Sequence, residues 1–218
     1  MEHDPGSGPR TPPHYFRPDP GTPHRPRRLS VRLRGRDVEV GTDAGVFSAG
    51  RLDLGTRVLL REAPDPPVTG DLLDLGCGWG PLALSMAMAA PRARVWAVDV
   101  HPRAVELTAV NAAELGLHGV RACLPEQVPE EISFAAIWSN PPIRVGKADL
   151  HALLLRWLPR LTSGAEAHLV VQRTLGADSL QAWLGPALGA GFSVQRAGSA
   201  KGYRVIRIQR GGGTELMD

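Results

Sequence analysis

Apolar and polar positions follow two different periods along this chain, and the change of period divides it. Leu29, Val31 and Leu33, then Val38 and Val40, alternate with polar residues around Gly35, the period of a strand folded back on itself. A small β-hairpin is expected there. Asp53 has the chemistry of an N-cap and predicts a short helix through Arg61, with Glu62 close behind. Residues 64–70 (PDPPVTG) read as a linker. From Asp71 onward, short apolar runs alternate with longer helix-forming stretches. Strands are expected at 71–75, 94–99, 119–123, 134–139 and 166–172, and helices at 80–90, 102–116, 147–161 and 177–190. Short connections of this kind build a parallel α/β sheet. The end differs: residues 192–195 and 203–209 flank a turn-rich 198–202, which predicts an antiparallel hairpin on the sheet's edge. No internal repeat is visible.

Composition adds an arm to this picture. Residues 1–28 hold eight prolines with Gly, His and Arg and no apolar period, so they cannot bury enough surface to offset the entropy of ordering, and a disordered arm is expected. Residues 29–70 then form a hairpin and helix cap, 71–210 the main domain, and 211–218 a flexible tail. Eight arginines against three acids give residues 1–36 a net +5, while the remaining 17 basic and 19 acidic residues give −2. A basic arm on a near-neutral body suits attraction to RNA, and equally suits a solvated tail. Two cysteines, Cys77 and Cys123, show no paired-ligand spacing, so neither a metal site nor a disulfide framework is expected. No apolar run has the length of a signal peptide or a membrane span. A soluble, cytoplasmic protein is the expectation.

The chemistry concentrates at two strand ends. Residues 71–80 read DLLDLGCGWG: an apolar run ending in Gly76, Gly78 and Gly80, just ahead of a helix. Glycines there accept backbone angles closed to other residues and let a ligand approach the main chain. A dinucleotide loop spaces its glycines G-x-G-x-x-G to seat a pyrophosphate on a helix N-terminus. Here the spacing is G-x-G-x-G, with Cys77 inside it and Asp74 two residues upstream. A carboxylate repels pyrophosphate but favours the ammonium and sulfonium of S-adenosylmethionine, and the pattern is that of class I methyltransferases. Asp99 ends the second strand 23 residues after Gly76, with Val100 beside it. Its carboxylate can accept hydrogen bonds from both hydroxyls of an adenosine ribose. Ahead of Pro102 it can also cap the next helix, and the two roles are compatible.

Sixty residues after the loop, another apolar run ends in Ser139-Asn140-Pro141-Pro142-Ile143. Two prolines offer carbonyls but no N–H, so the string can only grip a hydrogen-bond donor. An exocyclic base amine or a side-chain amide is a poor nucleophile because its lone pair is delocalised. If the Asn140 side-chain oxygen and the Pro141 carbonyl accept its two N–H bonds, the nitrogen is aligned and its lone pair localised toward the methyl donor. Without the upstream loop the same string would be an ordinary turn.

Together these residues resemble the small-domain methyltransferases related to ribosomal RNA small-subunit methyltransferase C, which modify the N2 amine of guanine. Further matches are Gly45-Val46-Phe47-Ser48, Gly50-Arg51-Leu52-Asp53, residues 140–147 (NPPIRVGK) and Lys201-Gly202-Tyr203-Arg204-Val205. The resemblance implies a Rossmann-like seven-stranded class I methyltransferase sheet with a small N-terminal hairpin and helix extension. It implies Asp74, Gly76, Gly78 and Asp99 at the cofactor, Asn140 to Ile143 at the acceptor, and Phe47 and Ser48 closing over the site. Two positions depart from the pattern. Many relatives carry an acid after the third strand near the adenine amine, where this chain has Cys123; the adenine contact then falls to backbone or to Glu126. Position 143 is Ile where many nucleic-acid N-methyltransferases have an aromatic residue to stack on a flipped base, and an aromatic face is worth ~1–3 kcal/mol per base. The second domain that larger relatives use to hold RNA does not occur in these 218 residues.

Arg144 and Lys147 follow the acceptor loop and read either as phosphate ligands or as charges at a helix start. Leu153, Leu154 and Trp157 fall at helical spacing and read as core, Trp183 as helix packing, and the histidines, His101 among them, as structural. The sequence therefore points to methyl transfer onto a nitrogen, with guanine N2 in ribosomal RNA as acceptor. A protein amide or a metabolite is the alternative acceptor, and a non-catalytic RNA-binding module the second alternative.

Overall fold

A computed structural model describes residues 25–46, 48 and 50–212. Most of the proline-rich arm, Phe47 and the last six residues lie outside them. Nine strands and five α-helices follow one another as β1 (Arg27–Leu33), β2 (Arg36–Thr42), α1 (Leu54–Glu62), β3 (Asp71–Leu75), α2 (Pro81–Ala89), β4 (Arg94–Val98), α3 (Pro102–Glu114), β5 (Val120–Cys123), β6 (Phe134–Ser139), α4 (Lys147–Trp157), β7 (Leu161–Gln172), α5 (Ala177–Leu188), β8 (Phe192–Ala200) and β9 (Tyr203–Arg210). β1 and β2 form the expected hairpin. The other seven strands form one sheet in the order β5-β4-β3-β6-β7-β9-β8. Only β9 runs against its neighbours β7 and β8; all other pairs are parallel.

Both faces of the sheet are covered, which is why the central strands read as unbroken apolar runs. Leu73, Ile137, Leu169 and Ile206 face Leu154 and Trp157 of α4 and Leu180 and Leu184 of α5. Leu72, Ala97, Trp138 and Val205 face Val58 and Leu59 of α1 and Leu82 and Met86 of α2. The chain winds outward through β3, β4 and β5, then returns to place β6 on the other side of β3. That reversal is the topological switch point of an open α/β sheet, where ligands bind outside the carboxyl ends of the strands. Leu75 and Ser139 are partners in register there, and the Ser139 hydroxyl donates to the Leu75 carbonyl at 2.6 Å. The glycine loop and the Asn-Pro-Pro loop thus leave the sheet side by side.

Three boundaries differ from the sequence expectation by more than two residues, each for a local reason. The helix expected over 147–161 stops at Trp157, because Pro159 lacks an N–H, and a single 3₁₀ turn, Leu158–Arg160, leads into β7. β7 begins at Leu161 rather than 166, paired with Phe134 across an irregular register. β8 continues to Ala200, and the turn narrows to Lys201 and Gly202, both at positive φ (49° and 82°), as a two-residue hairpin turn requires. A bulge between Arg196 and Gly198 takes up the extra length. A Cβ on Gly198 would meet the Glu62 carboxylate at 2.5 Å, so the bulge is also where α1 presses on the strand.

Asn111 on α3 locks the N-terminal hairpin to this sheet. Fully buried, its amide donates to the Gly41 and Trp79 carbonyls at 3.0 and 2.8 Å, and its oxygen accepts from Gly41 N–H at 2.6 Å. Arg103 donates to the Ala44 carbonyl at 2.7 Å. The segment that carries Gly45, Val46 and Asp53 is thereby held against the sheet's carboxyl end.

Candidate active site

The glycine loop is shaped by backbone bonds to β4. Gly76 and Cys77 N–H both donate to the Val98 carbonyl, at 2.8 and 3.1 Å. Gly76 and Gly78 sit at φ 80° and 58°, and nothing lies within 4 Å of a Cβ built on Gly76, so its open side faces the cleft. Gly80 has another task. A Cβ there would come 2.9 Å from the Thr108 side chain, and the residue caps α2 in the left-handed conformation. Thr108 in turn donates to the Gly78 carbonyl at 3.0 Å.

Asp99 closes the loop from β4. One carboxylate oxygen accepts from Gly78 N–H at 3.0 Å and the other from His101 N–H at 2.9 Å. Each oxygen keeps a lone pair for a further donor, so the two bonds aim the carboxylate without exhausting it. Burial raises its pKa, while the bonds from Gly78 and His101 pull it back. The cap expected of Asp99 falls to His101 instead: Asp99 accepts from the His101 N–H, and the His101 side chain caps α3 through Arg103 N–H at 3.2 Å.

Asp74 lies deeper, fully buried under the loop. One oxygen accepts from Ala83 N–H at 2.9 Å; the other, Oδ1, has no protein partner. Burial pushes its pKa up to about 8, opposed by the Ala83 bond and assisted by Asp99. Asp74 borders a small hollow of about 20 Å³ shared with Asp53, Gly76, Gly78 and Asn140. A buried carboxylate with one oxygen in search of a donor fits an ammonium.

The acceptor side begins at the end of β6. Ile143 N–H donates to the Pro141 carbonyl at 2.9 Å around Pro142 at φ −74°, ψ 79°, an inverse γ-turn that leaves one carbonyl lone pair unused. The Asn140 amide nitrogen donates to Asp53 Oδ2 at 2.8 Å and to Thr56 Oγ1 at 3.1 Å. A carboxylate can only accept, so the amide's orientation is fixed by chemistry: NH₂ toward Asp53, oxygen away from it. Asp53 Oδ2 also accepts from Thr56 N–H at 3.1 Å, capping α1. The cap expected from the sequence is therefore present, and the same atom aims Asn140.

A cleft of about 740 Å³ joins the two halves. Its cofactor side is lined by Gly76, Gly78, Val98, Asp99, Val100, His101 and Pro125, and its acceptor side by Asn140, Pro141, Pro142, Ile143 and Arg144. Of the residues singled out in the sequence, Asp74 and Cys77 border only the small hollow, and Gly80, Cys123 and Lys147 border neither. Pro125, not Cys123 or Glu126, stands on the cleft past the third strand of the sheet. Burial, with Asp99 and Asp74 nearby, holds the Cys77 thiol well above its usual pKa, leaving it a neutral packing group. Phe47 lies outside the described residues.

Several wall residues were not read as such from the sequence. Asp53 was legible as a cap and as the end of the Gly-Arg-Leu-Asp match. Leu153, expected in the core, lines the cleft; so does His101, expected to be purely structural. Val170, Gln172, Leu175 and Tyr203 complete the acceptor side. Tyr203 carried a signal as part of the Lys-Gly-Tyr-Arg-Val match, whereas Val170, Gln172 and Leu175 carried none.

Known proteins agree with this geometry. A family model, the methyltransferase small domain, matches residues 37–207. The uncharacterized protein YbxB of Bacillus subtilis (strain 168) is 34% identical over 200 residues, 90% of this chain and 98% of its own. Ribosomal RNA small subunit methyltransferase C of Pseudomonas aeruginosa (strain LESB58) is 37% identical over 182 residues, 78% of this chain and 54% of its own. The chain spans about half the length of that relative. The structure of the T. thermophilus 16S rRNA N2 G1207 methyltransferase (RsmC), in complex with AdoMet and guanosine, superposes with a TM-score of 0.71 at 27% identity, covering 85% of this chain and 50% of that one. With a family model matched over most of its length and a sheet wound around the glycine and Asn-Pro-Pro loops, the chain belongs to the methyltransferase small-domain family.

Proposed function

We propose that this S-adenosylmethionine-dependent methyltransferase acts on an exocyclic amine of a base in ribosomal RNA, the guanine N2. The observation that carries the nitrogen acceptor is the orientation of Asn140. Asp53 and Thr56 take its NH₂ group, which leaves its oxygen, like the remaining lone pair of the Pro141 carbonyl, for a donor in the cleft that both residues line. Two such acceptors suit the two hydrogens of an amine.

Asp99 would hold the ribose hydroxyls, the open backbone at Gly76 and Gly78 the methionine portion, and Asp74 Oδ1 its ammonium. Bound there, the cofactor supplies an electrophilic methyl on a sulfonium. The protein's own contribution is alignment. Asn140 Oδ1 and the Pro141 carbonyl accept the amine's N–H bonds and turn its lone pair toward the methyl. Donation of the Asn140 NH₂ to a carboxylate polarises the amide and makes its oxygen a stronger acceptor. The new N–C bond forms as the S–C bond breaks, with the electron pair leaving on sulfur. The amine then carries positive charge and releases a proton, so no strong base is required before transfer.

The RNA reading draws support from the relatives: the Pseudomonas and T. thermophilus proteins are named as ribosomal RNA methyltransferases. No helix among the described residues is long and apolar enough to cross a membrane, and none of their His, Cys, Asp and Glu residues gather as a metal site. A cytoplasmic enzyme working on RNA is consistent with both. The test is to give the purified protein tritiated cofactor and a lysate from cells lacking the gene, then separate RNA, protein and small molecules. Label in ribosomal RNA supports the proposal. Label confined to protein would establish a side-chain amide acceptor, and label confined to small molecules a metabolite.

A further inference from the structure

The acceptor half of the cleft has an aliphatic residue, Ile143, where a flipped base would be stacked, but an aromatic ring stands on the opposite wall. Tyr203 begins β9 and Gln172 ends β7, and the two are direct partners in the antiparallel register, so their side chains rise from the same face of the sheet. Both line the cleft. Among the described residues, Tyr203 is the cleft's single Phe, Tyr or Trp.

Its placement has a structural cost elsewhere. A Cβ on Gly55 would fall 2.9 Å from Tyr203 Cε1 and 3.1 Å from Cδ1. Gly55 stands in the first turn of α1, where glycine is a poor helix former, and any larger residue there would run into the ring. The ring is therefore pinned on one side by α1 while the residue borders the cleft. Burial and the neighbouring Asp53 carboxylate raise the phenol's pKa, which keeps it neutral. Gln172, half-buried beside it, makes no side-chain hydrogen bond to another described residue, which leaves its amide for solvent or a ligand. Arg173 N–H donates to the Gly202 carbonyl at 2.8 Å, tying the end of β7 to the turn just before Tyr203. The exposed cations Arg144, Arg173 and Lys201 flank this corner.

We propose that Tyr203 and Gln172 form the base-recognition shelf of the acceptor site, the ring supplying the apolar surface for the base and the Gln172 amide reading its polar edge, with the flanking cations serving phosphates. The inference rests on the base-acceptor reading above and adds to it the residues that choose the base. A side-chain amide of a protein has no ring to lie on such a shelf, and a small metabolite has no need of the cations.

The experiment measures kcat and KM for ribosomal RNA from cells lacking the gene, together with the cofactor's Kd, in Tyr203→Phe, Tyr203→Leu and Gln172→Leu. Tyr203→Phe should stay within about threefold of wild type, since the ring persists. Tyr203→Leu should raise KM for RNA by about 5- to 100-fold, the loss of one stacked base. Cofactor Kd and kcat at saturating RNA should change much less. Gln172→Leu removes an amide that makes no side-chain hydrogen bond to another described residue and should raise KM by about tenfold. If Tyr203→Leu also loses cofactor affinity, the ring is serving the fold, and Gln172→Leu decides alone. An unchanged KM in Gln172→Leu would then overturn the shelf. Wild-type label in RNA with unchanged KM in both variants overturns the shelf and leaves the proposed reaction standing. Absence of label in RNA with wild-type protein overturns the base acceptor and the shelf together.

Discussion

The two walls of the cleft are built in opposite ways. The cofactor wall comes almost entirely from one stretch, residues 74–101, where β3, the glycine loop, α2 and β4 follow one another. Its key contacts, Gly76 and Cys77 to Val98 and Gly78 to Asp99, span no more than about two dozen residues. The acceptor wall is assembled from far-separated pieces: Asp53 and Thr56 at the start of α1, Asn140 after β6, Gln172 at the end of β7 and Tyr203 on β9. The bond from Asn140 to Asp53 spans 87 residues. A wall made of one segment can be conserved in form with little regard for the rest of the chain. A wall made of four elements depends on how the sheet, α1 and the terminal hairpin are docked, and small changes in any of them alter what fits.

Substitutions on the two walls should therefore separate affinity from turnover. The largest effect is expected at Asn140. Asn140→Ala removes an acceptor used only when the nitrogen is aligned, so kcat should fall by about 10²–10³-fold, comparable to losing one aimed polar contact in other enzymes. Cofactor affinity should stay within a few-fold. Near wild-type turnover would dissolve the distinction between the walls.

Asp99→Ala should do the converse. Loss of charge-assisted bonds worth ~1.5–3 kcal/mol predicts cofactor binding weakened by about 10- to 100-fold, read by calorimetry. Equal affinity in wild type and variant would take Asp99 out of the ribose site.

Asp53 stands behind Asn140, and its effect should be smaller. Asp53→Ser keeps a good N-cap for α1 but is too short to hold the Asn140 amide, so kcat should drop by about tenfold while Tm barely moves. Because Asp53 acts through Asn140, the double variant Asp53→Ser, Asn140→Ala should be no slower than Asn140→Ala alone. Multiplying losses would mean that Asp53 works independently.

A separate readout, stability and proton release rather than turnover, concerns Asp74. Its folded pKa is about 8, raised from 3.8 chiefly by burial. A raised folded value means that the neutral carboxyl stabilises the fold below the unfolded pKa, and that this contribution is lost as pH rises through about 8. Cofactor-free protein should thus lose Tm between pH 4 and 8, and Asp74→Asn should flatten that decline. An ammonium beside Asp74 favours the charged carboxylate, so binding at pH 7 should release a proton from the wild type but not from the variant. Calorimetry in buffers of different ionisation enthalpy measures that proton directly; equal release in both would separate Asp74 from the ammonium.

How much was legible follows the same division. That Asp74, Gly76, Gly78 and Asp99 gather around one loop was readable because they fall within a single short strand–loop–helix–strand stretch. The central strands were readable because both faces of the sheet are covered there, so their apolar runs stand out, and the terminal hairpin was readable from its turn. Asp53 looked like a helix cap and is one. That the same oxygen also aims Asn140 depends on where α1 docks, which no local pattern encodes. Gln172 sits at the end of a strand that begins five residues earlier than expected, in a region whose start is set by pairing with Phe134 rather than by propensity. Asn111 is the extreme case: a polar residue inside an ordinary helix, fully buried, holding the N-terminal hairpin in place through three hydrogen bonds. Glycines told a mixed story. Gly76 is open for a ligand, whereas Gly80 and Gly55 make room for Thr108 and Tyr203, and the sequence alone gives the three the same appearance.

The most direct test of a nitrogen acceptor held by Asn140 is to identify the atom that receives the methyl. Ribosomal RNA from cells lacking the gene, methylated by the purified protein with isotopically labelled cofactor, can be digested to nucleosides and resolved by mass spectrometry. Label in N2-methylguanosine, lost in Asn140→Ala protein that still binds the cofactor, is the predicted result. Label on a ring carbon or a ribose oxygen, or label that survives in Asn140→Ala, would contradict it.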